Sequence, residues 1–242
     1  MDWRDQALIL TCRPYGESAS ILEVFTPGHG RHSGVVRGGA ARRMAPVLQP
    51  GNLIDLVWQA RLDTHLGQMI PELIQSRSAL WDDRLTLAGL NAVCGLLQFA
   101  LPERDPHADL YQASIGLLDA MEHAAHDWPR LYLGWELLLL DTLGYGLDLG
   151  QCAVSGATVD LAHVSPRTGR AISRGAAGAW ADRLLALPPC LLGASPRDNA
   201  ELVLALTTTG HFLTEHLARD LAPRPFPAAR QRLIDGFGRQ RR

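Results

Sequence analysis

Four arginines, Arg31, Arg37, Arg42 and Arg43, fall in a stretch from residue 24 to residue 54 that contains no aspartate or glutamate. A guanidinium bonds phosphate through two parallel N–H groups and stacks flat on a base, so this pattern suits nucleic-acid binding. Arg31 and Arg37 are six residues apart, which places them on one face of an extended strand, with His32 between them. Arg13 and Arg61, on neighbouring segments, extend the candidate DNA-binding set. Residues 224–242 hold six more arginines (Arg224, Arg230, Arg232, Arg239, Arg241, Arg242) against one acid, Asp235. The two stretches carry +4 and +5 in a chain of net charge −2, so the remainder carries −11. Such asymmetry is the footprint of an electrostatic partner. The chain has no lysine. GC-rich coding and a solvated tail are the plainer explanations for part of this usage.

The chemistry of bond-making is not supported. Val154-Ser155-Gly156 lacks the first glycine of a nucleophile elbow. His123/His126 and His211/His216 sit outside any H-E-x-x-H context, and His211 and His216, five residues apart, fall on different faces of a regular helix. Gly28-His29-Gly30-Arg31-His32-Ser33-Gly34 approximates a dinucleotide fingerprint only with stretched spacing, and it lies between strands instead of opening a helix. Asp82-Asp83 and Glu103 with Asp105 fall at helix ends, where carboxylates cap amides. No acidic cluster has the spacing of a metal-dependent nuclease. The expectation is a protein that is not an enzyme and has no catalytic residues.

The elements that carry the arginines are short strands. Ala7–Leu10, Ser20–Phe25, Arg31–Arg37, Leu53–Trp58 and Leu66–Ile70 are separated by Pro/Gly turns, and Gly38–Arg43 forms a glycine-led basic loop. Five such strands predict a small closed β-barrel, of OB or SH3-like type. Phe25 and Trp58 read as core, with base stacking as the alternative. From Leu80 the apolar period becomes helical, over 80–101, 109–121, 131–143, 176–187, 202–217 and 226–237. The segment 148–175 is rich in Gly, Ser and Pro and reads as a compact knuckle. The expected fold is therefore α+β and multidomain, with a barrel over 1–78 and an α-helical bundle over 79–242. Four dispersed cysteines, Cys12, Cys94, Cys152 and Cys190, read as reduced thiols. With no basic-apolar leader and no long apolar run, the expected location is the cytosol, away from membranes.

Several segments together resemble the RecO family of bacterial recombination-repair mediators. They are Tyr15-Gly16-Glu17-Ser18-Ala19-Ser20-Ile21-Leu22, His29 through Gly39, Leu48-Gln49-Pro50-Gly51, Leu140 through Leu149, Cys152 through Gly156, and Val164 through Ala171. The resemblance runs from residue 2 to about 235. It implies an OB-fold and a helical domain that bind single- and double-stranded DNA and anneal complementary strands. It further implies partnership with RecR and the C-terminal tail of single-stranded DNA-binding protein (SSB), loading of RecA on SSB-coated DNA, and association with the nucleoid during repair. Arg130, Arg183, Arg219 and Arg232 are the candidates for holding the acidic SSB tail. Several members of the family carry a zinc site of two C-x-x-C pairs. Here the pairs read Cys152-Ala153-Val154-Ser155 and Ser173-Arg174-Gly175-Ala176. One thiolate does not make a closed tetrahedral zinc site, so a metal-free, zinc-knuckle-like loop is expected, with no cofactor. The rival reading is a partner-binding scaffold with little DNA affinity of its own.

Overall fold

The computed structural model describes residues 1–62, 65–123 and 127–239. Its first element, β1 (Asp2–Tyr15), is more than three times the length of the apolar run Ala7–Leu10. It is long because it serves two ladders. Asp2–Leu8 pairs antiparallel with β4 (Leu53–Gln59), and Leu8–Tyr15 pairs antiparallel with β2 (Ala19–Thr26). An irregularity between Ile9 and Thr11 marks the change of partner, the place where a bulge bends a strand from one neighbour to the next. β2 continues into β3 (Gly30–Val36), and β5 (Gln68–Gln75) lies antiparallel to β4. A parallel contact, Val35 against Gln68, closes the barrel in the order β1-β2-β3-β5-β4. Alternate residues Ala7, Ile9, Leu22, Val24, Ile54, Leu56, Trp58 and Met69 fill its interior. Phe25 and Trp58 are both fully buried, so neither is a stacking surface.

The change from strand to helix comes after residue 75, but the chain's compact units divide elsewhere. The first comprises Met1–Ala124 with Pro227–Arg230, and the second Ala125–Phe226 with Gln231–Arg242. In the first, α1 (Arg84–Ala100) and α2 (Ala108–Glu122) join the barrel. Leu8 and Leu10 point away from the interior yet are buried, because α1 packs on β1. The segment after α1 is pressed onto β3: Arg104 N–H donates to the Arg31 carbonyl at 2.8 Å. Gly30 makes that approach possible. Its φ is +64°, and a Cβ there would lie 2.2 Å from the Asp105 carbonyl oxygen. Arg77, fully buried ahead of α1, reaches α2 through Asp119 (2.6 Å) and Glu122 (2.7 Å).

The second unit packs α3 (Trp128–Thr142) against α5 (Asn199–Phe212). Glu136 is buried between them and accepts from Thr209 Oγ1 at 2.6 Å. A small sheet in the order β7-β6-β8 joins two strands of the knuckle, β6 (Leu161–Val164) and β7 (Ala171–Ser173), to β8 (Leu185–Ala186), which lies beyond it. The helix expected over 176–187 is corrected. Only α4 (Arg174–Ala177) is helical there, followed by 3₁₀ turns and β8, because Gly178 adopts φ +50° and breaks the run. α5 passes directly into a π-helical turn, Leu213–Leu217, and then α6 (Ala218–Asp220); α7 spans Ala228–Arg239. Among the described residues, no helix is long and apolar enough to cross a membrane.

Candidate nucleic-acid interface

Of the seven arginines and histidines expected to meet DNA, five are exposed and two are not. Arg13 lies on β1, Arg37 follows β3, Arg42 and Arg43 form a 3₁₀ turn, and Arg61 follows β4. Among the described residues none of these five has an ion-pair partner, so their charge is available to an incoming anion. Arg31 is different. It is 7% exposed, its guanidinium is ion-paired with Glu23, and its Nε donates to the Leu101 carbonyl at 2.8 Å. His32 is 3% exposed and sits edge-on to Trp3 and Trp58. The expectation is corrected for both: strand alternation put Arg31 with Arg37, but the segment after α1 covers one end of that strand face.

Arg37 and Arg61 are 24 positions apart in sequence and line one groove of about 490 Å³ with Val35, Gln59, Ala60, Gly67 and Gln68. The closure of the sheet builds it. Val35 N–H donates to the Gly67 carbonyl at 3.0 Å, which brings the end of β3 beside the start of β5. Gly67 has φ +72°, and a Cβ there would lie 2.4 Å from Trp58 Nε1, so a side chain would wedge the groove floor off the core. Trp58 Nε1 donates to the Leu66 carbonyl at 3.1 Å, which ties the floor to the barrel interior. The basic loop is held just as firmly. Ala41 N–H donates to the Gly38 carbonyl and Ala40 N–H to Ser18, so Arg42 and Arg43 project from an ordered turn.

Arg13 lines a separate cleft of about 330 Å³ with Thr11, Glu23, Ser33, Glu103 and Arg104. Sequence reasoning missed Arg104, since nothing local marks a residue between two helices as part of a sheet surface. Its backbone carries the one signal visible in structure: φ +63° at a non-glycine residue.

The four arginines expected to hold an acidic tail lie on four separate elements. Arg130, on α3, is paired with Asp127 at 2.7 Å. Arg183 lies over the exposed ring of Trp180, 5.1 Å from its centroid. Arg219, on α6, meets Glu215 at 3.4 Å and lines a cavity with Arg167. Arg232 is exposed on α7.

In the knuckle, Cys152 Sγ accepts N–H bonds from Ser155 (3.4 Å) and Ser173 (3.2 Å), and the two serine hydroxyls are 3.4 Å apart. The hydroxyls of Ser155 and Ser173, and then the backbone donors, bring the Cys152 thiol down to about 6. One sulfur and two hydroxyls do not match the N/S donor set of structural zinc. Among the described residues no three His, Cys, Asp or Glu side chains converge on a metal position.

Two family models match the chain. Residues 1–77 match the one described as Recombination protein O N terminal, and residues 82–225 match Recombination protein O C terminal. The chain belongs to the RecO family. It is 55% identical over 239 residues to the DNA repair protein RecO of Cereibacter sphaeroides (strain ATCC 17029 / ATH 2.4.9), covering 99% of each chain. Against the DNA repair protein RecO of Ruegeria sp. (strain TM1040) the identity is 54% over 241 residues, with 99% of this chain and 100% of the relative covered. The Dinoroseobacter shibae protein of the same name is 49% identical over 242 residues, the full length of both. RecO membership thus spans the barrel and the helical part alike, and the arginine-bearing strands all lie within the N-terminal match.

Proposed function

We propose that this chain acts in DNA repair and recombination as a non-enzymatic mediator whose barrel is an OB-fold that binds DNA through phosphates. The strand order β1-β2-β3-β5-β4 with a parallel β3–β5 contact supports the OB reading over the SH3-like one. The observation that carries the function is the groove shared by Arg37 and Arg61, two unpaired guanidiniums supplied by different strands. Arg42 and Arg43 continue the basic surface along the loop after β3. Neutralising phosphates on two strands lowers their repulsion and favours annealing, with no bond made or broken. The knuckle is held by packing and N–H···S bonds and carries no zinc. Within this proposal the partners are RecR, the SSB tail and, through them, RecA.

The test is fluorescence anisotropy of a labelled single strand with wild type and the R37A/R61A double variant. The double variant is expected to bind at least tenfold more weakly at low salt while annealing more slowly. Equal affinity removes the groove from the proposal.

A second reading, a partner-binding scaffold with little DNA affinity, draws on one further feature. β5, whose first residue Gln68 lines the arginine groove, leaves Ile70, Leu73 and Ile74 exposed. Binding that appears only after RecR is added favours this reading.

A further inference from the structure

The π-helical turn at Leu213–Leu217 changes which side chains meet. In a regular helix His211 and His216 diverge; an i→i+5 turn brings residues five apart onto one face, and such turns are frequent at functional sites. Both imidazoles point at one atom. His211 Nε2 lies 3.0 Å and His216 Nε2 2.9 Å from the carbonyl oxygen of Pro166. Phe212, buried beside both, stacks on His216 at 5.1 Å and meets His211 edge-on at 5.3 Å, while the two imidazoles meet edge-on at 5.7 Å. The carbonyl is fixed too. Its loop is closed by Gly169 N–H to the Ser165 carbonyl (3.0 Å), Ser165 N–H to the Arg170 carbonyl (2.9 Å) and Thr168 N–H to Ser165 Oγ (3.3 Å).

We propose that His211 Nε2, His216 Nε2 and the Pro166 carbonyl form an open binding site for a divalent first-row transition metal. Donors held about 2.1 Å from one cation at right angles are about 3.0 Å from each other, which is the spacing found on both edges that meet at the carbonyl. Imidazole suits the later metals of the row. The cavity beside the triangle, about 510 Å³, leaves room for the waters that complete the coordination. Glu215 and Asp220 line the same cavity, where their carboxylates favour a bound cation. Their charge offsets Arg167 and Arg219, which also line it. With only two side-chain ligands, the affinity falls well below that of a closed structural site. Such a cation staples the π-helical turn to the knuckle loop without using Cys152, and it departs from the expectation of a chain with no metal.

The probe is Ni²⁺, titrated calorimetrically into chelator-stripped full-length protein. One equivalent is expected to bind wild type and C152S alike, and H163Q on β6 is expected to bind equally well. H211Q and H216Q, which keep a hydrogen-bond donor for the carbonyl, are each expected to bind at least tenfold more weakly. A second measurement needs no variant: Ni²⁺ is expected to protect His211 and His216 of wild type from diethylpyrocarbonate, read by peptide mapping. No saturable binding to wild type, equal binding to the glutamine variants, loss of binding in C152S, or absence of protection each overturns the proposal.

Discussion

A guanidinium carries the same charge wherever it sits, and its use is set by what already neutralises it. Arg31 is enclosed with Glu23 and bonded to the Leu101 carbonyl, whereas Arg37 faces solvent with no carboxylate partner among the described residues. Truncating Arg31 leaves the carboxylate of Glu23 mostly buried and without its main partner, so Arg31→Ala is expected to cost about 3 kcal/mol in urea unfolding. Arg37→Ala is expected to stay within about 0.5 kcal/mol of wild type while weakening DNA binding. The opposite ranking in stability would reverse the two roles. Cys152 allows a second prediction at this scale. Serine hydroxyls and N–H donors hold its thiol at about 6, while burial pushes Cys94 up to about 12 and Cys190 up to about 11 and also raises Cys12. Thiolate absorbance at 240 nm is therefore expected to rise with a midpoint near pH 6, and to lose that step in C152S. Because folding lowers this group from its ordinary 9.0, its stabilising contribution is complete above pH 9 and disappears as pH falls through about 6. A first thiolate step above pH 8 would show that the serines do not hold the sulfur as described.

At the scale of elements, the fate of each side chain depends on how its element is joined to the next. Arg77 shows this most directly. It is the only fully buried arginine among the described residues, and it ties the approach to α1 onto α2 through Asp119 and Glu122. Its backbone N–H also donates to Asn52 Oδ1 at 2.9 Å, which adds the turn before β4 to the same knot. Arg77→Ala strips a buried cation from two acids and is expected to destabilise the first unit by about 3–5 kcal/mol, with faster hydrogen exchange in α2. A loss below about 1 kcal/mol would mean that the knot is relaxed by water. Much of this architecture was legible beforehand. Short apolar runs between Pro/Gly turns marked all five barrel strands, the fifth overlapping β5 only at residues 68–70, and Asp83 caps α1, accepting from Leu85 and Thr86 N–H at 2.9 Å each. The knuckle's glycines marked a segment without a long helix, but its small sheet runs past residue 175 to β8. What stayed hidden was non-local or due to one residue's phase. The pairing of Arg31 with Glu23 needed the strand register, and the covering of β3 needed a chain segment seventy positions away. The π turn shifts the helix phase with no compositional mark, so His211 and His216 were read onto different faces and the structure puts them on one.

For the whole molecule the governing quantity is where the charge lies, since a net of −2 gives no attraction for DNA. The exposed, unpaired arginines of the barrel, Arg13, Arg37, Arg42, Arg43 and Arg61, have to work against a chain that outside its two basic stretches carries −11. Each phosphate neutralised on a single strand releases counterions and adds about −0.7 to the slope of log K against log salt. Five contacts therefore set a slope of about −3.5 as the most the barrel supplies. The C-terminal arginines offer a second set. Arg230 is buried, and Arg241 and Arg242 lie outside the described residues. If the five other than Arg230 joined the path, the slope would approach about −7. All five arginines belong to the barrel and the loop it holds in order, whereas the tail's charge belongs to another part of the chain, so the expected slope is near −3.5. Removing Arg37 and Arg61 together should reduce its magnitude by about 1.4, and shortening the chain after Arg239 should leave it unchanged. A steeper slope that falls on shortening the tail would assign the DNA path to both ends of the protein. A slope near zero would leave the barrel without a phosphate-binding role and favour the scaffold reading, in which the exposed apolar residues of β5 matter more than the arginines.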